Sequence, residues 1–191
     1  MNIIFILSQQ RSGSTSLIQS LSKELDDSFI VFEEVFLDEP TELNRKIYPK
    51  LNLLPSHRFH EQNRNVYDYI EHIRNNKKIV IKLMLDQITP EIEEYIKINN
   101  VEVVFFNRRN IDCAKSSAKI KLGINRAHQL DKNGIIVKNT NYSSEHKIKL
   151  GILTILYFVK NLFYRFKYRY LIISSHTYEY PDFQSVIDHI K

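Results

Sequence analysis

Apolar residues along the chain fall into short unbroken runs that alternate with stretches of helical spacing. Ile3–Leu7 (IIFIL) is a continuous apolar run, as a strand covered on both faces requires, and Leu17, Ile18, Leu21 and Leu25 follow at helical spacing. Phe29–Phe32 predicts a second strand. Val66, Tyr69, Ile70 and Ile73 form a helical stripe, and Ile79–Leu85 (IVIKLML) predicts a third, buried strand. Thr89-Pro90-Glu91 reads as a helix start, with threonine as N-cap and proline at the first helical position, leading into Ile92, Tyr95 and Ile96. Val101–Phe106 (VEVVFF) predicts the fourth strand, followed by a helix from about Ile111. The polar stretch from Leu122 to Ser144, with a turn at Asp131-Lys132-Asn133-Gly134, reads as loop. A long helix with Ile148, Ile152, Ile155, Leu156, Val159 and Phe163 on one side leads to a last strand, Tyr170–Ser174, and Pro181 opens a final short helix. This alternation predicts a three-layer α/β/α fold around a mostly parallel sheet of about five strands, in which ligands bind beyond the carboxyl ends of the strands. No repeat, linker or low-complexity block divides residues 1–191, so a single domain is expected.

Composition adds a direction. Twenty-seven Lys and Arg against 22 Asp and Glu give a formal charge of +5, which favours an anionic partner. A single cysteine, Cys113, excludes an internal disulfide framework and a cysteine-based zinc cluster, and suits a reducing compartment. The apolar runs at Ile3–Leu7 and at Gly151 to Phe163 are too short for a signal sequence or a membrane span, so a cytoplasmic location is expected.

The first strand runs directly into Ser8-Gln9-Gln10-Arg11-Ser12-Gly13-Ser14-Thr15, and the helical stripe begins at Leu17. A tight turn between a strand and a helix N-terminus presents unpaired backbone N–H groups and the positive end of the helix dipole, the ingredients of a phosphate site. Ser12, Ser14 and Thr15 add hydroxyls, Gly13 permits close approach of the backbone, and Arg11 adds a permanent charge. The segment is not a Walker A sequence, since the G-x-x-x-x-G-K-[ST] pattern is absent. RSGST after a first strand resembles the 5′-phosphosulfate loop of sulfotransferases that use 3′-phosphoadenosine 5′-phosphosulfate (PAPS). That resemblance implies the P-loop kinase-like fold of nucleotide kinases, PAPS as co-substrate, and no metal requirement.

A second segment supports the first. Arg108, Asp112, Ala114 and Ser116 stand at the end of the fourth strand and in the helix after it, with Arg and Ser eight apart, so that both could reach one anion. The spacing resembles the 3′-phosphate motif of the same family, which implies that Arg108 and Ser116 bind the 3′-phosphate; Arg109 stands beside the motif. Glu33 and Glu34, at the end of the second strand in FIVFEEVF, are both candidate bases; the glutamate before Val35-Phe36 resembles the strand-two carboxylate of bacterial and Golgi-type sulfotransferases, which makes Glu34 the expected general base. Lys82, a lysine inside an apolar strand, needs a partner or a function because burial of an unpaired ammonium is costly. KLMLDQ is similar to a strand-three motif of bacterial sulfotransferases, and by that resemblance Lys82 faces the transferring sulfuryl group beside Arg11. Cytosolic family members carry a catalytic histidine two residues further on, where this chain has Met84.

The expected activity is therefore sulfuryl transfer from PAPS to a hydroxyl or amine, with Glu34, Arg11 and Lys82 catalytic, and with Arg11, Ser12, Gly13, Ser14, Thr15, Arg108 and Ser116 binding the co-substrate. The acceptor is a small molecule, glycan or lipid rather than a nucleic acid, faced by the variable segments Asp38–Asn65 and Leu122–Ser144. A small-molecule kinase of the same fold is one rival; a non-catalytic nucleotide or nucleic-acid binder, suggested by the interleaved aromatic and basic residues from Tyr157 to Tyr170, is another. His57, His60 and Glu61 do not follow H-E-x-x-H and lack a third ligand, so no metal site is expected there; His128, in the long loop, is a candidate acceptor contact; and Ser174, Ser175 and His176 lack the acid partner and nucleophile elbow of a hydrolase site. Cys113 reads as a core residue.

Overall fold

The computed structural model describes residues 3–36, 41–47, 65–74, 77–99, 101–123 and 144–191. Five strands form one sheet in the order β2-β3-β1-β4-β5: β1 Ile3–Ser8, β2 Phe29–Glu33, β3 Lys78–Met84, β4 Glu102–Asn107 and β5 His176–Glu179. Every pairing is parallel. The unbroken apolar runs have the physical basis expected of them. Successive side chains of β1 point to opposite faces, so Ile3, Phe5 and Leu7 enter one core while Ile4 and Ile6 enter the other. The first core is closed by α3 (Val66–Arg74), α4 (Pro90–Ile98) and the junction of α6 (Ser144–Lys167) with α7 (Arg169–Ile173). The second is closed by α1 (Ser14–Glu24) and α8 (Phe183–Ile190). The three-layer parallel α/β/α fold expected from the sequence is the fold observed.

Three details differ from expectation. Tyr170–Ser174 is not a strand; residues Arg169–Ile173 continue as α7, with Leu171 buried and Ile173 81% exposed, a one-sided burial that suits a helix. The fifth strand is instead His176–Glu179, whose polar HTYE sequence carries no apolar signal because it is an edge strand paired on one side only, to β4. Next, the apolar stripe of α6 does not face the core. Ile148 and Ile155 are each 65% exposed and Val159 57%, while Thr154 and Asn161 lie on the buried side, a reversal available to a helix that is apolar around most of its circumference. Last, the final helix opens at Phe183 rather than Pro181, since the Asp182 side chain accepts the Ser185 N–H at 3.1 Å and caps it. Elsewhere Thr89 caps α4 as expected, accepting the Ile92 N–H at 3.3 Å. A short α2 (Glu42–Ile47) follows β2, and a 3-10 turn Leu85–Gln87 follows β3. Among the described residues, no helix is long and apolar enough to cross a membrane.

Candidate functional site

The carboxyl end of the sheet gathers the residues singled out from the sequence. β1 ends at Ser8, the chain turns through Gln9 to Gly13, and α1 begins at Ser14 with Gly13 as its N-cap. The turn needs a left-handed residue twice, at Arg11 (φ 63°) and Gly13 (φ 91°). Glycine takes that conformation freely, whereas an arginine there holds about 1–2 kcal/mol of strain. The Ser12 N–H closes the turn on the Gln9 carbonyl at 3.2 Å, and the Ser8 hydroxyl donates to Ser14 Oγ at 3.0 Å. The N–H groups of the first turn of α1 have no intrahelical acceptor and, with the helix dipole, leave an anion-seeking opening beside Arg11, which is exposed. Ser12 is fully buried, and its Oγ has no partner among the described residues.

Behind the turn lies a buried ionic cluster. Lys82 on β3 stands in register with Glu33 on β2 and Ile6 on β1, and by strand parity it shares the face of Val80, toward α1. Its ammonium, 1% exposed, donates to Thr15 Oγ1 at 3.1 Å, Glu33 Oε1 at 2.9 Å and Glu34 Oε1 at 2.6 Å. Alternation along β2 would send Glu34 to the opposite face; its left-handed backbone (φ 53°) breaks the alternation and returns its carboxylate to Lys82. That turn is held from several sides. The Glu34 N–H donates to the Lys82 carbonyl at 3.0 Å, Asn44 of α2 brackets the Glu33 backbone through both amide atoms, and the Tyr69 hydroxyl donates to the Val35 carbonyl. Val35 and Phe36 anchor the far side in the core. The second Glu34 oxygen, Oε2, accepts from Gln87 Nε2 at 2.8 Å, and Gln87 Oε1 is itself fixed by the Met84 N–H at 2.9 Å. Thr15 completes the circuit by donating to Glu33 Oε1 at 2.8 Å. Glu34 is thus an oriented, nearly buried carboxylate one hydrogen bond from Lys82 and two from α1, the helix that follows the turn.

The other basic corner meets the turn directly. Arg108, at the end of β4, donates through Nη1 to the Arg11 carbonyl at 3.1 Å and lies 4.7 Å from the ring centre of Tyr180. Tyr180 follows β5 and covers Gly13 so closely that a Cβ at Gly13 would fall 2.5 Å from its ring. Ser116 sits half-buried in the second turn of α5 (Asn110–Lys121). Arg109 is turned outward, with its side chain 82% exposed and paired to Asp112 at 2.8 Å, so it is not directed at the turn. Cys113 is buried as expected, and burial pushes its thiol up to about 11. Beside the turn, Gln9, Gln10, Leu85, Asp86, Asn161 and Tyr164 line a small cleft; Gln10 and Lys160 both donate to Asp86 Oδ2 at 2.9 Å, tying α6 to the turn.

The structure thus brings Arg11 to Thr15, Glu34, Lys82 and Arg108 to one end of the sheet. Lys82 points into the carboxylate pair and Thr15, with all three ammonium donors engaged, rather than toward open space beside Arg11. Sequence reasoning passed over Glu33 in favour of Glu34 and missed Gln87 and Tyr180 as parts of the site. Glu33 was signalled by its place beside Glu34, and Gln87 lay inside the KLMLDQ segment; nothing local marks Tyr180. His57, His60, Glu61, His128 and most of the two acceptor segments lie outside the described residues.

Comparison with known proteins adds little. No protein-family model matches the chain, and no curated protein matches it. Among solved structures, shikimate kinase from Bacteroides thetaiotaomicron is similar at 10% identity and a TM-score of 0.44, over 98% of this chain and 95% of that one. A likeness that distant says nothing of activity.

Proposed function

We propose that the chain is a PAPS-dependent sulfotransferase. The observation that carries the reading is Glu34: a non-glycine residue held in a left-handed conformation so that its carboxylate joins Lys82 behind an anion turn. In this reading the N–H groups of Gly13 to Thr15 and the hydroxyls of Ser12 and Ser14, with Arg11, hold the 5′-phosphosulfate, while the Thr15 hydroxyl stays on Glu33, and Arg108 with Ser116 holds the 3′-phosphate. Glu34 accepts the proton of the acceptor hydroxyl as its oxygen bonds to sulfur. The bond between sulfur and the bridging oxygen breaks, and its electron pair leaves on the 5′-phosphate of adenosine 3′,5′-bisphosphate. Charge spread over the sulfuryl oxygens is met by donors fixed before the reaction, the usual source of rate in such displacements. Lys82 orients Glu34 through its hydrogen bond to Oε1 and shares the charge that develops beside it.

The Glu34→Gln variant tests the assignment, because the amide keeps the side chain's shape and removes its proton affinity. Turnover of PAPS with an acceptor is expected to fall by about 100-fold or more, the usual contribution of a general base, while the affinity for adenosine 3′,5′-bisphosphate stays unchanged. Unchanged turnover would remove Glu34 from the mechanism.

A further inference from the structure

The opposite end of the sheet carries a second cluster with a different chemistry. Glu102 opens β4, His176 opens β5, and His189 sits in the last turn of α8. These three present one ligand atom each, all within 4.8 Å of one another. We propose that Glu102, His176 and His189 form a divalent transition-metal site that takes zinc. It lies the length of β4, about 20 Å, from the anion turn and owes nothing to the sulfotransferase reading.

Geometry and donor chemistry both favour it. Two imidazoles and one carboxylate are a donor set that zinc adopts, with a fourth position left to solvent. His189 Nε2 and Glu102 Oε1 are already 2.7 Å apart, and the His176 and His189 rings lie with centres 4.4 Å apart. Tetrahedral zinc with bonds of about 2.0–2.1 Å needs its ligand atoms roughly 3.3–3.4 Å apart. The Glu102–His189 pair therefore opens slightly, and His176 moves in by a side-chain rotation. That motion is available because His176 is exposed at the start of an edge strand. The residues come from separate elements that other contacts already fix: β4 pairs with β5 at Val104 and His176, and Tyr178 packs its ring 5.6 Å from His189. Lys191, the residue that follows α8, pairs with Glu24 at 3.5 Å. A simple Glu102–His189 ion pair would latch β4 to α8 without His176; the convergence of the second imidazole on the same point is what marks a metal site.

The test uses the purified full chain, stripped with chelator and titrated with zinc chloride, followed by calorimetry and thermal unfolding. Expected results are one ion bound per chain, a rise in Tm reversed by EDTA, and, with cobalt(II) in place of zinc, visible absorption of tetrahedral character. His176→Ala and His189→Ala should each weaken zinc by at least about 100-fold and abolish the rise in Tm, a loss no smaller than that seen for residues that merely support ligands. Should His189→Ala fail to fold by circular dichroism, His176→Gln, at an exposed position, gives the same reading. Absence of zinc binding by the wild type, or wild-type affinity in His176→Gln, would overturn the proposal.

Discussion

Among the described residues, only Arg11 and Glu34 are non-glycine residues with positive φ, one in the turn between β1 and α1 and the other in the ionic cluster behind it. Backbone strain of this kind persists where surrounding contacts over-determine it, and here they do. The contact between Gly13 and Tyr180 gives a sharp test. Gly13→Ala must carry a Cβ at φ 91° into the Tyr180 ring, so stability to denaturant should fall by at least ~1 kcal/mol, and Tyr180→Ala on that background should recover only the steric part. Lys82 makes a larger difference. Lys82→Met leaves two adjoining carboxylates buried without their cation and is expected to cost about 3–5 kcal/mol, much of it regained when Glu33 and Glu34 are both changed to Gln. With its thiol pushed up to about 11 by burial, Cys113 should resist alkylation at neutral pH in the native protein and react once the chain is unfolded; fast labelling of native protein would contradict its placement. Much of this was legible in single residues. A lysine within IVIKLML announced a partner, and RSGST after a strand announced a tight strand-to-helix turn. The partner's identity was less legible, because the left-handed turn at Glu34 is decided by Asn44, Tyr69 and Gln87, which the sequence leaves far apart.

At the scale of elements, strands buried on both faces were the readable part, since their apolar runs have no other use in a chain of this length. The fifth strand was not readable because an edge strand with a polar surface obeys no apolar period, and the LII run before it mimicked a strand while belonging to a helix. The same ambiguity reversed α6: a helix apolar on most sides does not declare which side is buried. Stability measurements separate the two faces. Ile155→Glu, on the exposed stripe, should change the unfolding free energy by less than about 0.5 kcal/mol. Ile81→Ala, fully buried in β3, should cost about 2–5 kcal/mol. Equal losses at the two positions would show that the stripe is buried within the chain.

The +5 charge of the whole molecule resolves into differently employed cations. Lys82 serves the carboxylate pair, Arg109 serves Asp112, and Lys160 serves Asp86, whereas Arg11 is exposed at the turn and Arg108 contacts it through a single nitrogen. In the proposed function Arg11 and Arg108 take the two charged ends of one compact anion. Calorimetry with adenosine 3′,5′-bisphosphate, set beside ATP with magnesium, tests this most directly. The account predicts that the bisphosphate binds without metal and that Arg11→Ala or Arg108→Ala weakens it by about 10-fold or more, as loss of a charge-assisted contact should. Tight binding of ATP with magnesium together with no binding of the bisphosphate would contradict the account and favour a small-molecule kinase instead.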